Sequence, residues 1–293
     1  MRPETELKIK VAFNKNALAW YRAKTSRAPE PTLETPVSQL VTAAQMRSAT
    51  YAKWCEEMKL TPRTHRKNWE FAYVLQALEQ AGALRPGARG LGFGVGLEPL
   101  PAVFARRGCE AVITDLPPER ARGLGWEAAE GPDVAEYNRA GICPPDEFAG
   151  RVRWEPVDMN EIPDHLRRGE FDFVWSSCAF EHVGSIAKGK AFVLNALECL
   201  KPGGVAVHTT EYNLTSNVFT ADDAPTVIFR RRDIEEILDA CRERGWSSTF
   251  NPCAGRDPQD SLFDLPPYDG AVHLKLLIGR YVSTSVGLIL RRS

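Results

Sequence analysis

From residue 85 onward, short apolar runs alternate with stretches of helical periodicity. That alternation confines the chain to strand–helix–strand units, whose stable arrangement is a largely parallel sheet with helices on its faces. Candidate strands cover 89–93, 111–115, 151–157, 171–176 and 204–209. Between them, Val193, Ala196, Leu197 and Leu200 mark a helix over 191–200. Ile234, Ile237, Leu238 and Cys241 mark another over 233–244. That second helix opens on Asp233 and Glu236 in capping-box-like spacing, and Gly245 is placed to end it. The alternation then breaks, because the apolar runs 273–282 and 285–292 stand almost end to end. No crossover helix fits between them, so they are expected to pair antiparallel.

The 293 residues suit one large domain with additions or two modest ones. Residues 1–35 carry Pro3, Pro29 and Pro31, with Pro36 just beyond, and show weak periodicity. They read as an arm or a partly disordered segment. Residues 36–84 read as a helical cap. One helix runs on from Pro36, and a second lies near 65–81, where Phe71, Val74, Leu75 and Leu78 share a face. Residues 85–293 form the main domain. Within it, the loops 117–150 and 246–270 are long enough to shape a pocket.

Lys and Arg total 37 against 38 Asp and Glu, for a net charge of −1. That balance disfavours a protein that coats nucleic acid. The seven cysteines contain no CxxC pair and the five histidines no HExxH. They read as reduced thiols, with no spacing that demands a metal. No apolar leader or span is evident, so a cytoplasmic location is expected.

The motif Gly90-Leu-Gly92-Phe-Gly94-Val-Gly96-Leu-Glu98 follows a strand and precedes a helical stretch. Its spacing is GxGxG. The dinucleotide pattern GxGxxG fails, because Val95 or Leu97 stands at the last position. A nucleoside ligand without a pyrophosphate fits better. Asp115 ends the next strand, where a carboxylate can accept both hydroxyls of a ribose. Asp158, in Val157-Asp158-Met159, ends the third strand and can accept from an adenine amino group. The alternative is a helix N-cap. The fourth strand leads into Ser176-Ser177-Cys178-Ala179-Phe180-Glu181-His182, and a Pro202-Gly203-Gly204 turn starts the fifth.

Taken in order, these pieces resemble the class I S-adenosylmethionine-dependent methyltransferases over about 85–292. The resemblance implies an α/β fold with a Rossmann-like, mostly parallel seven-stranded sheet, a C-terminal antiparallel hairpin and an N-terminal helical cap. The segments SATYAKWCEEM and RKNWEF resemble a bacterial subgroup of unassigned substrate, some of whose members look like glycan or small-molecule tailoring enzymes. The implied cofactor is S-adenosyl-L-methionine, leaving S-adenosyl-L-homocysteine. Gly92, Phe93, Gly94 and Gly96 would line it. Asp115 would hold the ribose with Leu116 beside it in the cofactor site, Asp158 and Met159 would frame the adenine, and Ser176 and Ser177 would sit beside the cofactor at the strand end. The family often has an acid two positions before the first loop glycine, and Gly90 stands there in this chain. Glu98 and Glu70 are candidates for the cofactor's amino group.

Methyl transfer from a sulfonium is a direct displacement, so the site must align the acceptor and exclude water. An alcohol acceptor also gains from a general base. His182 is the first candidate and Glu181 the second. Glu211, Tyr212 and Asn213 could meet the acceptor, whereas His208 reads as a core histidine. Arg63, Arg66 and Lys67, like Arg230, Arg231 and Arg232, could meet an anion, though a solvated helix entrance is the plainer reading. Trp54 and Trp69 read as packing residues. O-methylation of a small molecule or sugar, by a monomer or homodimer, is the leading expectation. N-methylation, a nicotinamide-dependent oxidoreductase and a silent methyltransferase-like binding protein are the alternatives.

Overall fold

The central strand β5 (Phe171–Ser177) is buried along its whole length, as a parallel strand covered on both faces must be. Around it, a computed structural model describing residues 3–117, 119–120, 133–222 and 225–292 shows a ten-stranded sheet. Its main path begins with β4 (Val152–Pro156), β3 (Glu110–Asp115), β2 (Arg89–Gly92), β5 and β6 (Leu200–Asn213), all mutually parallel. It continues antiparallel through β10 (Tyr281–Arg292) to β1 (Ser38–Leu40), and then to β8 (Phe250–Asn251), which is parallel to β1. Two short strands, β7 (Trp246–Ser247) and β9 (Lys275–Ile278), pair with β10 off that path. The expected α/β sheet with its closing hairpin is present. β1, β7 and β8 raise the strand count from seven to ten.

Two strand boundaries differ from expectation. The hairpin turns at Gly279 and Arg280, with Ile278 opposite Tyr281, because Gly279 supplies the positive φ of a two-residue turn. Ser283 and Thr284, expected between the two runs, lie inside β10 together with Ser285. There their hydroxyls bond to Glu211, the Leu274 carbonyl and Glu70. β6 also runs on past Thr209 to Asn213, laddered against β10 down to Ser283.

Helices α2 (Ala43–Met46), α3 (Ala49–Glu57) and α4 (Arg66–Gln80) cover one face of the sheet. The Ser48 hydroxyl caps α3, and the His65 ring caps α4. Trp54, Trp69 and Tyr73 join Phe173, Trp175, Val207 and Ile289 in one apolar layer, so the helices share a core with the sheet. The indole N–H groups of Trp54 and Trp69 donate to Gln76 and Gln45. α5 (Leu100–Arg106) and α6 (Pro145–Arg151) complete that side. The opposite face carries α7 (Ile186–Ala196) and α8 (Arg231–Glu243). α8 begins two residues earlier than expected. Asp233 occupies its third position, and its carboxylate accepts from the Arg230 backbone and guanidinium. Among the described residues no helix is long and apolar enough to cross a membrane.

The arm expected over 1–35 is instead helical from Pro3 to Thr25 (α1). Leu18 and Tyr21 are buried, and the Tyr21 hydroxyl lies 2.8 Å from that of Tyr212. The Arg22 guanidinium donates to the Gly255 and Asp257 carbonyls at 3.1 and 3.0 Å. The helix escapes a simple amphipathic reading because Ile9, Phe13 and Trp20 stand on the face opposite Leu18.

Candidate functional site

In a sheet ordered β4-β3-β2-β5-β6, chain direction across the sheet reverses between β2 and β5, and the loops leaving those strands diverge. A crevice at such a switch point is the general ligand site of open α/β sheets. Here it is a cavity of about 1180 Å³ at the C-terminal strand ends. Gly94, Gly96 and Glu98 line it from the loop after β2, Asp115 and Leu116 from the end of β3, and Asp158 and Met159 from beyond β4. Ser177, Cys178 and His182 come from β5 and its exit, and Lys67 and Phe71 from α4.

Gly94 adopts φ +60°, and a Cβ there would lie 2.5 Å from Ala179, so the turn demands glycine. The chain then re-enters the sheet region through a Val95 N–H bond to the Thr114 carbonyl. Asp115 accepts from the Leu116 N–H at 2.7 Å, and burial pushes its carboxyl above the usual range. Asp158 accepts from the Asn160 N–H at 2.8 Å and pairs with Arg120, another lining residue.

Three expected cofactor residues lie elsewhere. A Cβ on Gly92 would stand 2.3 Å from Trp175, so this glycine serves strand packing. Phe93 is fully buried, edge-to-face with Phe192 at 5.2 Å. Ser176 points to the face opposite Ser177, as strand alternation requires, and its hydroxyl lies 2.8 Å from His208 Nδ1. His208 is the expected core histidine, and burial lowers its pKa to about 3.

His182 lines the cavity, and its Nδ1 is 2.8 Å from the Pro225 carbonyl. A carbonyl only accepts, so Nδ1 carries a proton, and in the neutral ring Nε2 is the accepting nitrogen. Glu181 Oε1 lies 4.0 Å from that Nε2. Glu181 itself is buried outside the lining, accepts from the Thr210 hydroxyl at 2.9 Å, and is raised in pKa by burial, with Glu211 adding to the rise. The general base named second therefore lies behind the one named first.

The acceptor residues expected after the fifth strand are part of β6 itself. Tyr212 is core, Asn213 binds the 215–220 loop through Thr215, Ser216 and Phe219, and Glu211 is buried against Arg66. None of the three lines the cavity. Behind Cys178, Glu211 joins a cluster that no local pattern announces. Lys67 Nζ is 2.8 Å from Glu70 Oε2, Cys178 Sγ donates to Glu70 Oε1 at 3.0 Å, and Arg66 pairs with Glu211. Burial alone would raise Glu70, but Lys67 and Arg66 hold it below the usual carboxylate range. The solvated-entrance reading of Arg66 is therefore wrong, because its side chain is 13% exposed and ion-paired. Arg230 and Arg231 pair within their own helix entrance, with Asp233 and Glu235.

Cys178, Glu181 and Glu211 bring potential ligand atoms within 4.8 Å of one another. Arg66 already neutralises Glu211, while burial keeps Cys178 and Glu181 toward their protonated forms, so the trio offers a cation little charge. Glu98 sits apart. Its carboxyl, bonded to Trp175 Nε1 at 2.8 Å, is raised by burial to about 7.

No curated protein sequence matches the chain. Among solved structures it is similar to the 1,6-didemethyltoxoflavin-N1-methyltransferase of Burkholderia thailandensis, at 17% identity over 86% of this chain and 88% of that one, with a TM-score of 0.44. It is also similar to an S-adenosylmethionine-dependent methyltransferase of Mesorhizobium loti, at 17% identity over 74% and 98%, with a TM-score of 0.43. A phosphoethanolamine N-methyltransferase of Haemonchus contortus gives 16% identity over 93% and 60%, with a TM-score of 0.44. Residues 91–208, which span the glycine loop, Asp115, Asp158 and the β5 exit, match the methyltransferase-domain family, so over that segment the chain carries a methyltransferase domain.

Proposed function

We propose that this methyltransferase transfers its methyl group to a hydroxyl of a small molecule or sugar precursor, with His182 as general base. One observation carries the reading. A single cavity holds the strand-end acids Asp115 and Asp158, the bare turn Gly94–Gly96 and an imidazole whose Nδ1 is committed as a donor. The donor set suits S-adenosylmethionine. Asp115 would accept the ribose hydroxyls, and Asp158 and Met159 would frame the adenine. Glu98 would meet the ammonium group, doing the work of the acid that Gly90 replaces. When bound, S-adenosylmethionine supplies an electrophilic methyl on a sulfonium. His182 Nε2 would take the acceptor's proton as the hydroxyl oxygen attacks, with the Pro225 carbonyl holding the ring through Nδ1–H. Lys67 and Phe71 would wall the acceptor side and exclude water.

The test uses S-adenosylmethionine labelled in its methyl group, offered with sugar and phenol acceptors beside amine acceptors. The expected result is labelled methyl ether, with His182→Ala losing turnover while S-adenosylhomocysteine affinity holds. Label found only on amines, or undiminished turnover in the variant on its best acceptor, would overturn the reading.

A further inference from the structure

Helix α1 presents two apolar faces, and only one is used. Leu18 and Tyr21 pack on the body. On the other side, Ile9, Phe13 and Trp20 are 54%, 61% and 64% exposed. At about 100° per residue these three fall within about 40° of one another, a single stripe along the helix. The helix carries five basic residues against two acidic ones, on a chain whose net charge is −1. The Lys24 ammonium lies over the Trp20 ring, 4.9 Å from its centre. An apolar stripe flanked by lysines, with a tryptophan along it, matches an anionic bilayer surface, where the stripe enters the acyl boundary and the cations meet headgroups.

Two further features point the same way. The loop after β6 is tied to α1 by a 2.7 Å bond from the Thr215 hydroxyl to Asn14, and it exposes Val218 and Phe219 at 60% and 72%. A trough of about 420 Å³ beside α1 is lined by Leu7, Val11, Ala12 and Leu265, with Lys8 and Lys15 in its wall. An apolar trough beside two ammonium groups has the chemistry of an acyl chain below an anionic headgroup.

We propose that α1 and the 215–220 loop dock this enzyme on anionic membrane surfaces, lying in the interface without spanning it. The docking face is outside the methyl-transfer cavity, so the two assignments stand or fall separately.

The experiment is flotation of the full chain with vesicles of phosphatidylcholine alone and of phosphatidylcholine mixed with phosphatidylglycerol, while Trp20 fluorescence is followed. Binding to the mixed vesicles should exceed binding to the neutral ones by about tenfold or more and fall with added salt. Phe13→Glu/Trp20→Glu and Lys8→Glu/Lys15→Glu should each abolish it while S-adenosylhomocysteine affinity, the control for folding, is unchanged. Equal binding to both vesicle types, or none to either, would overturn the proposal. So would a dimer that Phe13→Glu dissolves in protein that ignores both vesicles, since that would make the face a contact between copies of this chain.

Discussion

The two ends of the cavity are built by different rules. The end bearing Asp115, Asp158 and Gly94–Gly96 is made of residues that leave parallel strands, each placed by its own strand and turn. The end behind Cys178 is made of charges from α4 and β6 and hydroxyls from β10 that meet only in the folded chain. Glu70 and Ser285, which bond there, are 215 residues apart. At the first end, substitution should change affinity and spare the fold. At the second, it should change the fold first, because a buried charge without its partner is costly.

The largest effect expected from this contrast is on stability. Arg66→Met leaves Glu211 buried without its cation and should cost about 3–5 kcal/mol in denaturant unfolding. Arg66→Met/Glu211→Gln should recover more than half. A single variant as stable as wild type would show that the cluster is less buried than its contacts indicate. His182→Ala should leave stability intact and lower turnover by about 10²-fold or more. Within the glycine loop, Gly92→Ala forces a Cβ against Trp175 and should lose about 1–3 kcal/mol of stability. A Cβ on Gly96 meets nothing within 4 Å, so Gly96→Ala should change stability by less than about 0.5 kcal/mol and weaken only cofactor binding. Equal unfolding midpoints for the two would erase the distinction between packing and ligand glycines.

Glu98 sharpens the comparison through pH. Its carboxyl titrates near 7 because it is buried, and it must lose its proton to pair with an ammonium group. Affinity for S-adenosylhomocysteine should therefore rise roughly tenfold between about pH 6 and 8 and level off above. Glu98→Gln should flatten that rise. A profile unchanged in the variant would remove Glu98 from the ammonium role.

The first end was legible in the sequence because strand-end acids and a glycine turn are fixed by local pattern. Even there, strand alternation was needed to tell Ser177, in the cavity, from Ser176, which bonds His208. Gly92 and Phe93 belong to the motif by spacing yet face Trp175 and Phe192. The second end was illegible for two physical reasons. β6 runs to Asn213 through pairing with β10, a contact distant in sequence, so Glu211 becomes a strand residue with a buried partner. Arg66 reads as a solvated entrance to α4 until that partner is known. α1 hid for another reason, since apolar residues on both faces cancel the helical period.

The most direct test of the central claim is calorimetric titration of wild type and Asp115→Ala with S-adenosylmethionine and S-adenosylhomocysteine. The account predicts that wild type binds both and that the variant binds each at least about tenfold more weakly, on the order of 1.4 kcal/mol, with an unchanged unfolding midpoint. Binding of neither ligand by wild type, or equal affinities in the two proteins, would contradict it.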